Sequence, residues 1–81
     1  MGHIEVKLLG NLQYYTEGEK KVHRLELDEN EEISLEKVIE ELKLPRDEIN
    51  LILVNEEACE LSSKIKKGDR VKILPVIAGG I

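Results

Sequence analysis

With 81 residues the chain is too short to split into two domains that each keep a core, and it leaves little interior for an enclosed catalytic cavity. Its 17 acidic against 12 basic side chains, a formal net charge of −5, disfavour neutralising nucleic-acid phosphates and suit a basic protein surface. Aromatic content is 2%, only Tyr14 and Tyr15, which excludes a stacking platform for single strands and leaves an aliphatic core of Ile, Leu and Val.

Along the chain, Ile4, Val6 and Leu8 alternate with Glu5, Lys7 and Leu9, the period-two pattern of a strand with one buried face. Gly10-Asn11 ends it, and the polar stretch from Gln13 to Lys21 around Gly18 predicts an open hairpin loop. A second strand runs from Val22 to Asp28, with Leu25 and Leu27 on the same face as His23. No second metal-ligand type lies at a useful spacing from His23, so it is read as an edge residue.

The acidic run Asp28-Glu29-Asn30-Glu31-Glu32 leads as a loop to Ser34, whose hydroxyl can cap a helix while the negative charge favours the helix dipole. Leu35, Val38, Ile39 and Leu42 then fall at i, i+3, i+4 and i+7, with Glu36, Lys37, Glu40, Glu41 and Lys43 on a solvated opposite face. That helix is expected to stop near Lys43 or Leu44, because Pro45 lacks an N–H and restricts the residue before it.

Leu51-Ile52-Leu53-Val54 is a continuous apolar run, expected as a central strand covered on both faces. Asn55-Glu56-Glu57 predicts a turn, Ala58 to Leu61 a short return, and Ser62 to Lys67 a loop or single helical turn anchored by Ile65. Lys67-Gly68-Asp69-Arg70 turns the chain into a last strand from Val71 to Ile77. Pro75 cannot donate to a ladder, so pairing is expected to weaken there and the chain to leave the sheet.

This order predicts an α+β roll of the β-grasp type, a mixed four- to five-stranded sheet covered by one main helix. The body is expected over residues 1–77 and a flexible tail over 78–81, where Gly79-Gly80 lacks Cβ atoms and is thin enough to thread a narrow channel. Met1-Gly2-His3 carries no functional argument. One cysteine, Cys59, makes no intramolecular disulfide and is read as a small buried hydrophobe, and no Cys/His set has zinc or iron–sulfur spacing. No metal or bound cofactor is expected. No segment approaches the roughly 20 apolar residues of a membrane span and the start lacks a leader pattern, so a cytoplasmic protein without membrane or nucleic-acid partners, most simply a monomer, is expected.

Three motifs in order, Val54-Asn55-Glu56-Glu57, Lys67-Gly68-Asp69-Arg70-Val71 and Leu74-Pro75-Val76-Ile77-Ala78-Gly79-Gly80, resemble the ThiS/MoaD family of ubiquitin-like sulfur carriers over almost the whole chain. The resemblance implies a ubiquitin-like β-grasp body and a carrier that is not itself an enzyme. Its C-terminal glycine carboxylate would be adenylated with ATP by a ubiquitin-activating-like adenylyltransferase, converted to a thiocarboxylate, and delivered to a recipient synthase for molybdopterin, thiazole or related sulfur transfer. On that reading Gly80 carries the acyl group, Gly79 threads the channel, and Ala78, Ile77, Val76 and Leu74 guide or dock the tail. A carboxylate is a poor electrophile, so activation supplies a leaving group, and glycine leaves the reacting carbon unobstructed.

Ile81 departs from the family pattern, which ends at the second glycine. A peptidase removes it, or the chain is a variant that is never activated, or Ile81 is an added residue; removal is the preferred expectation. Two other functions stay open on the residues alone: a protein modifier joined through Gly80 to lysines, and a β-grasp interaction module whose tail does no chemistry.

Overall fold

A computed structural model describes residues 2–76, so the end of the expected body and the expected tail, residues 77–81, lie outside the described residues. Strand β1 (Gly2–Leu8) buries Ile4, Val6 and Leu8 completely, as its alternation predicts, and pairs antiparallel with β2 (Val22–Leu27). Their connection is more structured than its polarity implies. Two 3-10 turns, Leu12–Tyr15 and Glu17–Glu19, fold it back, with Leu12 fully buried and the buried Thr16 hydroxyl donating to the Gln13 carbonyl at 2.8 Å. His23 sits on the edge strand β2, as expected, with Nε2 2.9 Å from the Lys20 carbonyl oxygen.

Helix α1 (Leu35–Glu41) begins where Ser34 predicts: its Oγ accepts from the Lys37 N–H at 3.1 Å. The Leu35 and Glu36 N–H groups donate to the carbonyls of Ser63 and Leu61 at 2.9 and 3.0 Å, so a distant loop satisfies donors that the helix leaves unpaired. At the other end Lys43 takes a left-handed conformation, φ +59°, and the Leu44 N–H reaches back to the Ile39 carbonyl, the closing geometry more often given to glycine. Leu35, Val38 and Ile39 are buried under the helix, each side chain contributing about 1.5–3 kcal/mol by leaving water.

Strand β4 (Ile49–Val54), the two-residue β5 (Glu57–Ala58) and β7 (Arg70–Pro75) complete a mixed five-stranded sheet in the order β2-β1-β7-β4-β5. The β1–β7 pair is parallel and the others antiparallel. The central strand is therefore β7, whose Val71 and Ile73 are 1% exposed, and not β4. Because one helix covers only one face, Ile52 turns inward while Leu51, 37% exposed, lies open. An unbroken apolar run does not distinguish a strand covered twice from one with an apolar outer face.

The sequence reading also passes over a small second sheet. The residues expected to close an acidic loop form β3 (Glu32–Ser34), and those expected as a loop or helical turn form β6 (Lys64–Lys66), paired antiparallel. Each strand has one apolar residue between polar ones, too short for a period. Their pairing comes from Ile33 meeting the buried Ile65, with Glu32 opposite Lys66.

Candidate functional site

The tail motif depends on how β7 enters and leaves the sheet. At the entrance Gly68 has φ +91°, a conformation that favours glycine. Asp69 beside it ties two loops together: Oδ1 accepts from Asn55 Nδ2 at 3.1 Å and Oδ2 from the Lys66 N–H at 2.9 Å. Asn55 completes the junction, its Oδ1 accepting from the Arg70 N–H at 3.0 Å and its own N–H donating to the Arg70 carbonyl at 2.8 Å. Asn55 and Glu56 both have positive φ, 52° and 73°, the turn between β4 and β5. The Asn55 and Gly68-Asp69 motifs are thus one structural unit that fixes the start of β7.

At the exit Pro75 stands opposite Ile49, and the pairing register shifts between Ile49 and Leu51. A ladder bond runs from the Val76 N–H to the Glu48 carbonyl at 2.9 Å, so among the described residues pairing reaches one residue beyond the proline. Gly10, φ +62°, lies against the Pro75 ring so closely that a Cβ there would sit 2.6 Å from its Cγ. This packing seats Pro75 at the end of β7.

Alternation along β7 sends Ile73 into the core and Leu74 to the open face, where its cross-strand partner is Leu51. Val76, 46% exposed, follows Leu74 at period two, and Leu53, opposite Lys72, extends the apolar surface. Lys72 Nζ lies 2.7 Å from Glu56 Oε2, and this charged hydrogen bond holds the Glu56 carboxyl below its ordinary value. Of the expected site residues, Leu74 and Val76 are placed together beside the exit; Ile77, Ala78, Gly79 and Gly80, with Ile81, lie outside the described residues. Sequence reasoning missed Leu51 and Leu53 as members of this face, and Gly10 as the seat of Pro75. Only the spacing Leu51, Leu53 within the apolar run carried a signal.

Cys59 is partly buried against the core cluster, as a small hydrophobe would be. Among the described residues no group of His, Cys, Asp and Glu is arranged to hold a metal ion, and no helix is long and apolar enough to cross a membrane.

No curated protein matches the sequence. Among solved structures, one similar to this chain comes from Pyrococcus furiosus and is assigned as molybdopterin converting factor subunit 1, with 21% identity, TM-score 0.70, and coverage of 95% of this chain and 100% of that chain. SAMP1 from Haloferax volcanii is 22% identical with TM-score 0.70, covering 98% of this chain and 100% of its own. Urm1 from Trypanosoma brucei is 19% identical with TM-score 0.69, covering 98% and 96%. These likenesses establish the ubiquitin-like β-grasp fold. The ThiS family model matches residues 6–80, and the chain therefore belongs to the ThiS family of small sulfur carriers, carrier proteins rather than enzymes, which are typically activated by E1-like partners.

Proposed function

We propose that Gly80 is the acyl-carrying residue and that the chain reaches its active form when Ile81 is removed. The observation that carries this reading is the extent of the family match, which ends on Gly80 and leaves Ile81 outside it. An E1-like adenylyltransferase then brings ATP: a Gly80 carboxylate oxygen attacks the α-phosphorus, pyrophosphate leaves, and an acyl adenylate remains. A sulfur donor at the hydrosulfide level forms the C–S bond, the acyl C–O bond breaks and AMP leaves with its oxygen and electron pair, and the tail ends in a thiocarboxylate. Gly79 and Ala78 thread the partner's channel, while the face formed by Leu74, Val76, Leu51 and Leu53 docks the body. A recipient synthase, in molybdopterin, thiazole or related sulfur transfer, takes the sulfur.

Incubation with the cognate activating enzyme, ATP and a sulfur donor, after exposure to extract of the protein's own cell, is read by intact mass. Loss of one isoleucine followed by replacement of one oxygen by sulfur is expected. An adenylate or thiocarboxylate on protein that retains Ile81 would sink the maturation step, and unimpaired sulfur transfer by a Gly80→Val variant would refute the site. The likeness to the small archaeal modifier protein 1 of Haloferax volcanii favours one second reading, attachment of Gly80 to target lysines. A ladder of conjugates on the same extract distinguishes it.

A further inference from the structure

The sheet ends differently at its two edges. β5 pairs only with Leu53 and Val54, and the Cys59 N–H adds one bond to the Ile52 carbonyl at 2.9 Å. Over Ile49–Leu51 the outer side of β4 has no strand beside it among the described residues. A groove of about 230 Å³ runs along this unpaired stretch, with Ile39 and Ile52 in its floor and Cys59 and Leu61 in its wall. Leu61 remains 37% exposed there. The opposite edge, β2, also lacks an outer neighbour among the described residues, but Arg24 and Glu26 lie along it and the nearby hollow is lined by Glu17, Lys20, Glu41 and Lys43 among others. Charged side chains blunt an edge against pairing, whereas an apolar groove beside one offers seats for alternate side chains of an added strand.

The groove's charge selects the occupant. Its one lining cation, Arg46, is already shared between the carboxylates of Glu36 and Glu40, and Glu60 on the rim has no ion-pair partner among the described residues. One cation therefore faces three carboxylates. A second copy of the chain would bring two such rims together, and the segment Ile77–Ile81 contains no basic residue to answer them. We propose that the β4 edge at Ile49–Leu51, with its adjoining groove, accepts an extended apolar segment of a partner protein, flanked by lysine or arginine, as an added strand. Backbone hydrogen bonds to the free edge hold the segment, Leu61 and Cys59 receive its inward side chains, and Glu60 pairs with a flanking cation. This docking is independent of the tail's chemistry.

The test uses the full chain, labelled with nitrogen-15, and a short acetylated peptide with a Val-Thr-Val-Ile core between lysine pairs. Two comparators keep the length: the same core between glutamate pairs, and a lysine-flanked core with proline at its centre. Amide shifts confined to Ile49–Ile52 and Cys59–Leu61 are expected, with binding weakened about tenfold for the glutamate-flanked peptide and lost for the proline one. Leu61→Arg should weaken the lysine-flanked peptide about tenfold with its other amides unmoved. If that variant does not fold, Glu60→Lys takes its place and should show the same direction. Shifts centred on β2 or on the open face, equal binding of both charge forms, concentration-dependent shifts of the protein alone, or no shift up to the peptide's solubility limit would each overturn the proposal. Gly80→Val should bind the peptide normally, which separates a failure here from a failure of the carrier reading.

Discussion

The two ends of β7 are secured by opposite means. At Gly68-Asp69 the strand is held by polar bonds: one carboxylate accepts from Asn55 Nδ2 and from the Lys66 N–H, and Asn55 Oδ1 in turn accepts from the Arg70 N–H. At Pro75 it is held by packing against an absent side chain, with one ladder bond from Val76 beyond it. The entrance fixes register through groups that each require a defined partner geometry. The exit relies on packing with a single bond beyond the proline, which suits the tail role proposed above.

Adding a methyl group at the exit should do the most damage. Gly10→Ala meets both a left-handed backbone and a ring carbon 2.6 Å away, and a proline ring cannot swing aside as a long side chain can. A loss of about 2–3 kcal/mol is expected in urea unfolding. Pro75→Ala in the same chain should recover the packing part and leave the backbone part. Strict additivity of the two substitutions would show that the ring contact does not secure the exit.

The entrance should respond in steps. Asp69→Ala removes an acceptor from Asn55 Nδ2 and from the Lys66 N–H, for an expected loss of about 1–2 kcal/mol, while Asp69→Asn, which keeps one acceptor oxygen, should fall between. Equal losses would mean that the two bonds are not separately stabilising. Gly68→Ala should cost about 1 kcal/mol, all of it conformational, because nothing lies within 4 Å of a Cβ there. The same substitution at Gly10 and Gly68 thus measures how much of the exit's hold is steric.

The difference between the two ends also explains what could be read in advance. Gly68-Asp69 announces itself locally, since a glycine before an aspartate marks a turn whatever lies around it, and Ser34 with the Leu35, Val38, Ile39 stripe marks the helix in the same way. Gly10's role is set by Pro75, sixty-five positions later in the chain, and no local pattern carries it. β3 and β6 were hidden for a related reason: Ile33 and Ile65 become strand residues only by meeting each other. The open face was obscured by composition. Leu51 and Leu53 resemble core residues in a leucine-rich run, and only the presence of a single helix leaves their side of the sheet uncovered. The role proposed for the terminal glycines rests on their chemistry and the family pattern alone.

The smallest expected effect concerns Lys72, a cation on that face. Its ammonium hydrogen-bonds Glu56 and lowers the carboxyl's pKa, first through that bond and then through charge attraction, against a slight opposing effect of burial. A folded-state pKa below the unfolded one means that the pair stabilises above the ordinary carboxylate range and that its contribution is lost as pH falls through the folded value. Glu56→Gln should therefore lie slightly below the parent in stability at neutral pH and converge with it in acid. Glu56 is fully exposed, so the gap should be small and should shrink further in about 1 M salt, where screening acts within roughly 3 Å. Parallel curves at every pH would assign the substitution's cost to the left-handed turn at Glu56 rather than to its charge. If the curves converge, Lys72 is held by Glu56 beside Leu53, and the apolar residues Leu51, Leu53, Leu74 and Val76 of the open face lie next to a paired cation.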